Sequence, residues 1–184
     1  MDDIIYVDDT PSGSIAESAL PELQEYLGWA DGLLLPGELS NNSETELLIA
    51  ELLQKIDVPT VCASDVTQLL WRNLEQINAQ QLCVVCDYRD IQKLIVEQRL
   101  AVMLKQSDPP STAREVAAEI QRVTNLSLII EHQQQLIVSQ DGQISQTPGQ
   151  ASPQLLAQAA VLMTQFPSRR FEALTTAVYQ SITD

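Results

Sequence analysis

The fold is decided by one stretch, which begins Leu82-Cys83-Val84-Val85-Cys86-Asp87 and continues as an amphipathic segment. Its first five residues form a short, continuous apolar run, which is typical of a strand buried on both faces of a parallel sheet. From Asp87 a helical period runs to about Leu104, through Ile91, Leu94, Ile95 and Gln98. A buried strand followed directly by an amphipathic helix is the repeating unit of an α/β fold.

The same unit recurs towards the N-terminus. Short apolar runs predict strands at Ile4–Val7, Leu33–Leu35 and Pro59–Ala63. A helical period predicts a helix over Ser14–Leu27. Ser43, with Glu46 three residues later, has the spacing of a capping box, and Ser64 or Asp65 is the expected N-cap of the next helix. The expected apolar face of the Ser43 helix consists of Leu47, Leu48, Leu52 and Ile56.

Towards the C-terminus the pattern changes after Asp108-Pro109-Pro110, which breaks the helical period. A helix capped by Ser111 follows, with Val116, Ile120 and Val123 expected to face inward. Strands at Leu126–Glu131 and Gln135–Ser139 flank a polar bend that includes His132, and the turn Asp141-Gly142 leads to a short third strand. Two closing helices are predicted over Gln154–Phe166 and Arg170–Ile182.

These patterns predict a single three-layer α/β domain over residues 1–184. Its sheet is mostly parallel and flanked by helices, with a small antiparallel portion in the C-terminal half. At this length one hydrophobic core is enough, because a domain of this size buries roughly 70% of the surface of its unfolded chain.

The charge balance bears on the partners. The net charge is −15, and residues 1–57 hold 13 acidic residues and one basic residue, Lys55. Such a surface repels phosphate backbones and anionic lipids, so we expect no nucleic-acid or membrane partner. No stretch approaches the ~18 apolar residues of a membrane span, and the start Met-Asp-Asp-Ile lacks the features of a signal peptide. We therefore expect a cytoplasmic protein.

The cysteines predict no site. Three cysteines with no loop-rich scaffold argue against disulfides. Cys83 and Cys86 have the spacing of a redox motif, but on a strand residues three apart point to opposite faces, so we expect two separate buried thiols. Three cysteines and the single His132 also lack a second C-x-x-C pair, and we predict no metal site.

Several segments follow the order and spacing of one family. Ala30-Asp31-Gly32-Leu33-Leu34-Leu35-Pro36-Gly37 resembles a segment that leads a strand into a G-P-G-L-G turn. Residues 57–65 are similar to D-V-P-V-V-L-D-A-D, and Leu155-Leu156-Ala157 resembles the last part of G-S-G-D-V-L-A-G. Residues 171–179 look like E-A-A-x-x-A-V-Y-L-H. Residues 23–184 thus resemble the NAD(P)H-hydrate dehydratases of the ribokinase-like superfamily, with the family's N-terminal third absent.

The resemblance implies a nucleotide site whose chemistry has changed. The family's proton-transferring aspartate falls at Gln154, whose amide exchanges no proton near neutral pH. Ala151-Ser152-Pro153 replace the glycine-rich anion turn, and Glu131 stands near the place of a lysine beside the phosphates. The candidate ligand-binding residues that the resemblance carries over are Pro36, Gly37, Asp65, Asp87 and Asp90.

Three of these candidates also have a structural interpretation. Asp65 is either part of a surviving polar site or a helix N-cap. Asp87 and Asp90 lie one helical turn apart, a spacing that can direct two carboxylates towards a cation. Carboxylates in the first turn of a helix are equally favoured by the helix dipole.

The sequence therefore predicts a non-catalytic relative of the dehydratases that binds a protein or a small ligand. The alternatives are an active NAD(P)H-hydrate dehydratase or small-molecule kinase that uses ADP or ATP with magnesium, and a structural domain without ligand. A sheet shortened at one side leaves an open edge, so we also expect homo-oligomers that form through that edge.

Overall fold

The computed structural model describes residues 5–37 and 42–183, apart from the side chains of Ser64 and Asp65. Six strands form one sheet in the order β1-β2-β3-β4-β5-β6. Strands β1 to β4 are parallel, and β5 and β6 follow as antiparallel neighbours. The strands are β1 Leu33–Leu35, β2 Thr60–Ala63, β3 Leu82–Asp87, β4 Ser127–His132, β5 Gln135–Gln140 and β6 Gln143–Pro148.

Helices cover both faces of this sheet. On one face lie α1 Leu20–Leu27, α2 Ser43–Gln54, α3 Ser64–Asn73, α4 Tyr88–Glu97 and α5 Pro110–Thr124. On the other face lie α6 Pro153–Gln165 and α7 Arg170–Thr183. The predicted three-layer α/β architecture, with its antiparallel portion in the C-terminal half, is confirmed. In the described part of the chain, no helix is both long and apolar enough to cross a bilayer.

Alternation along β3 divides the core into two parts. Val84 and Cys86 pack with the helices α1 to α5, whereas Cys83 and Val85 pack with α6 and α7. All four side chains are buried, which explains why the strand has no polar alternation. The two thiols of the C-x-x-C spacing therefore belong to opposite faces, as predicted.

The first predicted strand is wrong. Ile4 lies outside the described residues, and Ile5–Val7 pair with no strand. Instead Asp9 makes an isolated bridge to Ile15, and the carbonyl of Asp8 accepts a hydrogen bond from the amide of Ala16 at 3.0 Å. The predicted Ser14–Leu27 helix is correspondingly shorter, because it begins as a 3₁₀ turn at Glu17 and becomes α-helical at Leu20.

Three of the predicted helix caps are wrong by one or two residues. The N-cap of α2 is Asn42, whose side chain accepts hydrogen bonds from the amides of Glu44 and Thr45, and not Ser43. Helix α3 begins at Ser64 after Ala63, so neither Ser64 nor Asp65 is at the N-cap position. Pro109 precedes α5 in place of Ser111.

Other differences concern helix faces and ends. Leu47 of α2 and Val123 of α5 are exposed, although the helical period placed both in the core. Helix α4 ends at Glu97 and not near Leu104, because Arg99 has a left-handed backbone with a φ of 51°. His132 is no bend residue: it ends β4, is buried, and its Nε2 lies 2.7 Å from the carbonyl oxygen of Asp108.

Candidate functional site

The carboxyl ends of the parallel strands gather most of the predicted site residues. Pro36 and Gly37 follow β1, and Asp65 is the second residue of α3 after β2, although its side chain lies outside the description. Asp87 ends β3 and is paired in register with Glu131 of β4. In open α/β sheets ligands bind at this edge, so the structure brings the candidates to the place where a site is expected.

The turn after β1 retains one feature of the resemblance. Pro36 is exposed, and Gly37 has a φ of 113°, a conformation that side chains other than glycine rarely adopt. Residues 38–41 lie outside the description. The turn can therefore be assigned a backbone requirement for glycine, but no ligand contact.

Asp87 and Asp90 form a capping box at the start of α4. Asp87 Oδ1 accepts hydrogen bonds from the amides of Arg89 at 2.8 Å and Asp90 at 3.1 Å. In return, Asp90 Oδ2 accepts from the amide of Asp87 at 3.4 Å. The two carboxylates thus satisfy backbone donors that a helix start leaves without partners.

The surroundings of Asp90 add a cation to this cap. Asp90 is 7% exposed, and its Oδ1 lies 3.6 Å from Nζ of Lys93. Its backbone carbonyl accepts a hydrogen bond from Nε1 of the buried Trp71 at 3.2 Å. Among the described residues, no three His, Cys, Asp or Glu side chains come together as a metal site requires. The local contacts account for both carboxylates as helix-capping groups.

The N-terminus of α6 lies beside Glu131. Glu131 Oε2 accepts a hydrogen bond from the amide of Ala151 at 2.9 Å. Ser152 is the N-cap of α6, and its Oγ accepts from the amide of Leu155 at 3.1 Å. Pro153, the first residue of the helix, has no amide hydrogen to donate. Gln154 follows as an exposed side chain.

This arrangement has a clear electrostatic meaning. The start of a helix attracts anions, because its amides point outward and its dipole is positive there. Here the hydroxyl of Ser152 accepts a hydrogen bond from the amide of Leu155 in the first turn of α6. The carboxylate of Glu131 accepts one from the amide of Ala151, which directly precedes the N-cap. A phosphate brought to Ala151 would have to displace or approach the charge of Glu131.

The cysteines and His132 add no reactive group. Burial raises the pKa of Cys62 to about 12. The pKa of Cys83 is raised by burial and then by Cys62, and that of Cys86 by burial and then by Asp90 and Asp87. Because the thiolate is the reactive form, these thiols are inert in the folded chain. The ring of His132 packs edge-on against Tyr88, with 6.3 Å between the centroids.

The contact between Glu131 and Ala151 could not be predicted from the sequence. The two residues are 20 positions apart and lie in different elements. The resemblance placed both near a phosphate, which indicated their neighbourhood but not that one would bind the other. No spacing pattern reports such a contact.

The arrangement described so far defines an α/β protein with a candidate site at the carboxyl edge of a mostly parallel sheet. The chain is similar in structure to a hypothetical protein from Streptococcus mutans, with a TM-score of 0.65 and 17% identity over 91% of this chain and 62% of that one. It thus spans less than two-thirds of the length of that neighbour. No family model matches the sequence, and neither does any curated protein.

Two further neighbours are kinases. Phosphomethylpyrimidine kinase from Clostridium difficile has a TM-score of 0.67 and 8% identity, over 95% of this chain and 81% of the kinase. Adenosine kinase from Anopheles gambiae, solved with P1,P4-di(adenosine-5) tetraphosphate, has a TM-score of 0.54 and 14% identity, over 92% and 57%. At these identities the likeness concerns the fold alone, and that fold is ribokinase-like.

Proposed function

We propose that this domain is a non-catalytic relative of the NAD(P)H-hydrate dehydratases and acts by binding a protein or a small ligand. One observation carries the proposal. Around the N-terminus of α6, where the resemblance places the phosphate-binding turn, the amides of Ala151 and Leu155 donate to Glu131 and Ser152 of the chain itself.

The first step of the argument concerns the anion. In the family that the chain resembles, backbone amides of a glycine-rich turn stabilise phosphate. This chain has Ala151-Ser152-Pro153 in place of that turn. The amide of Ala151 already donates to a carboxylate, and Pro153 offers none. Removing one preorganised donor of this kind typically lowers a rate about 10²- to 10³-fold.

The second step concerns the proton. The resemblance places Gln154 at the position of the aspartate that transfers a proton, and a glutamine side chain has no acid or base function near neutral pH. Loss of a general acid or base typically lowers a rate by about 10²- to 10⁴-fold. Asp87 and Asp90 do not replace this proton-transferring group. They form the capping box at the start of α4, directly after β3, and their carboxylates accept hydrogen bonds from backbone amides.

The experiment is a thermal unfolding series with ADP, ATP and NADH, each with magnesium, together with an assay for turnover of hydrated NADH. A ligand at 100 times its Kd adds about 2.7 kcal/mol to the free energy of unfolding. We expect no nucleotide-dependent shift and no turnover. A saturable shift with ADP or ATP contradicts the argument that the chain's own groups exclude a phosphate. Turnover of hydrated NADH contradicts the proposal and establishes the enzyme alternative.

A matched variant separates the two parts of the argument. Glu131→Gln removes the charge at the N-terminus of α6 and keeps a side chain of the same length. If the carboxylate alone prevents nucleotide binding, this variant gains a thermal shift with ADP that the natural chain lacks. If the missing glycine turn is also required, both proteins behave alike, and the proposal stands in either case.

A further inference from the structure

The two edges of the sheet differ in their capacity to pair with another strand. Strand β1 has three residues and is followed directly by Pro36, and short strands next to proline are how proteins protect an edge. Strand β6, at the other edge, has six residues, and its proline is the last of them. Among the described residues, β6 pairs with β5 on one side only.

The hairpin geometry identifies which backbone groups of β6 point outward. Asp141 and Gly142 both have positive φ, of 49° and 74°, and form a two-residue turn closed by the pair Gln140 and Gln143. In such a turn the closing pair exchanges both hydrogen bonds, and the pairs then alternate along the ladder. The N–H and C=O groups of Ile144 and Gln146 consequently face away from β5.

Pro148 agrees with this assignment. It occupies the next outward-facing position after Gln146, where a missing N–H breaks no bond to β5. The following residue, Gly149, donates its amide back to the carbonyl of Gln134 at 2.9 Å and ends the ladder. The open edge therefore offers both N–H and C=O at Ile144 and Gln146, and at Pro148 it offers a C=O alone.

The charge distribution favours contact between two copies of the chain at this edge. The charged residues of the range 142–183 are Arg169, Arg170 and Glu172, whereas the whole chain has 10 basic and 25 acidic residues. Strand β6 itself carries no charge, and natural edge strands are usually protected by charged side chains. Two copies that each carry a net charge of −15 repel one another least where such uncharged surfaces meet.

We propose that the edge of β6 pairs with the same edge of a second copy of this chain. If the two β6 strands run antiparallel about a two-fold axis at Ser145, Ile144 lies opposite Gln146 of the second copy. By the same symmetry, Gln146 lies opposite Ile144 of the second copy. Each of these two pairs exchanges two backbone hydrogen bonds, which satisfies the outward N–H and C=O groups of Ile144 and Gln146 in both copies. The arrangement is self-complementary and closes as a dimer with one continuous sheet.

The flanking helices are compatible with this pairing. Helix α7 lies over β5 and β6 on one face, and α5 contacts the same strands on the other. Ile182 of α7 is 39% exposed and lies against Gly149, directly after β6. The dimer thus places an uncharged apolar side chain beside the joined strands. The inference goes beyond the proposed function, because it depends on the β6 backbone and not on chemistry at the start of α6.

The experiment measures the mass of the whole chain by light scattering and sedimentation across a dilution series. We expect a dimer of twice the 20.4 kDa chain mass that dissociates on dilution. Gln146→Pro removes one outward N–H without removing a bond to β5, and Gln146→Lys places a charge on the edge. Both variants are expected to be monomers with the natural circular-dichroism spectrum.

Gln165→Lys is the matched control. It makes the same substitution at an exposed position of α6, in the same uncharged region but away from the edge. It is expected to remain a dimer. Should Gln165→Lys dissociate the dimer while both Gln146 variants keep it, the interface is the α6 surface and the proposal is wrong.

Hydrogen exchange of the natural chain provides a readout that depends on no variant. The amides of Ile144 and Gln146 are expected to exchange more slowly as the protein concentration rises. The amide of Gly142 donates to Oε1 of Gln121 at 3.2 Å and is not part of the pairing, so its exchange is expected to stay the same. Equal exchange of the two edge amides at all concentrations, or a monomeric mass throughout the series, overturns the proposal.

Discussion

Replacing Glu131 with alanine removes the side chain that joins the end of β4 to the turn before α6. The affected contact is the 2.9 Å hydrogen bond between Glu131 Oε2 and the amide of Ala151. After the substitution, the amide of Ala151 is left to water, whereas the cap that Ser152 provides to α6 is unchanged.

The magnitude follows from the exposure of the two groups. A hydrogen bond to a charged group contributes about 1.5–3 kcal/mol when it is buried. Glu131 is half-buried and Ala151 is exposed, so water compensates for part of the loss. We expect a decrease of about 1 kcal/mol in the free energy of unfolding, comparable to the loss of a helix N-cap. For a chain of this size that lowers Tm by about 2–4 °C.

The assay is thermal and denaturant unfolding of three variants. Glu131→Gln keeps a neutral acceptor and is expected to lose about half as much as Glu131→Ala, since charge-assisted bonds are roughly twice as strong. Glu115→Ala, at an exposed position of α5, removes the same charge and is expected to change stability by less than about 0.5 kcal/mol. Equal Tm values for Glu131→Ala and Glu115→Ala would refute the role of the contact.

Three further predictions concern the turns, the cap and the thiols. Gln134→Gly is expected to raise the free energy of unfolding by about 1 kcal/mol. Gln134 has a φ of 59° in a two-residue turn, and glycine adopts this conformation without the steric cost of a side chain. An unchanged or lower Tm contradicts this prediction. Asp87→Ala is expected to lower the free energy of unfolding by about 1 kcal/mol, as measured by denaturant unfolding. Asp87→Asn is expected to lower it by less, since asparagine still caps α4 and alanine does not. Burial raises the pKa values of the three thiols, so they stay neutral in the folded chain at a pH where the thiols of the unfolded chain ionise. The free energy of unfolding is therefore unchanged below about pH 8.5 and falls by about 2 kcal/mol per thiol by pH 10. Cys62→Ala should reduce that slope, and labelling of native cysteines at pH 8 as fast as in the unfolded chain would contradict the burial argument.

The central strands could be predicted because their sequences admit one interpretation. Leu82–Cys86 is a continuous apolar run, and only a strand buried on both faces or a buried helix accepts such a run. Its five-residue length and the polar Asp87 behind it favour the strand, and the structure places Cys83 and Cys86 on opposite faces accordingly. In the C-terminal half, Asp141-Gly142 specified a hairpin, because both residues tolerate positive φ.

The errors arise where tertiary contacts override local preference. Ile5–Val7 has the composition of a strand, but these residues pair with no strand, and the chain directly after them makes the bridge from Asp9 to Ile15 instead. Asn42 displaces Ser43 as a cap because its backbone is extended, with φ and ψ of −102° and 121°, and its side chain reaches two amides. Such geometry depends on how the preceding segment approaches the helix, which spacing alone does not determine.

The candidate site shows the same division. The sequence predicted that Asp87 and Asp90 lie at a strand end, and the interpretation as first-turn carboxylates matches the capping box. It could not predict that Glu131 would bind the amide of Ala151, because that contact requires β4 and the turn before α6 to meet at one edge of the sheet. The residues were predictable one by one, and their interaction was not.

The central claim is that the amides of Ala151 and Leu155, before and within the first turn of α6, donate to groups of the chain itself and take no phosphate. The most direct measurement follows the amide resonances of Ala151 and Leu155 by NMR while ADP and magnesium are added to millimolar concentration. The account predicts that both resonances stay at their original positions. Saturable shifts of these two amides, with Glu131 released from Ala151, would contradict it.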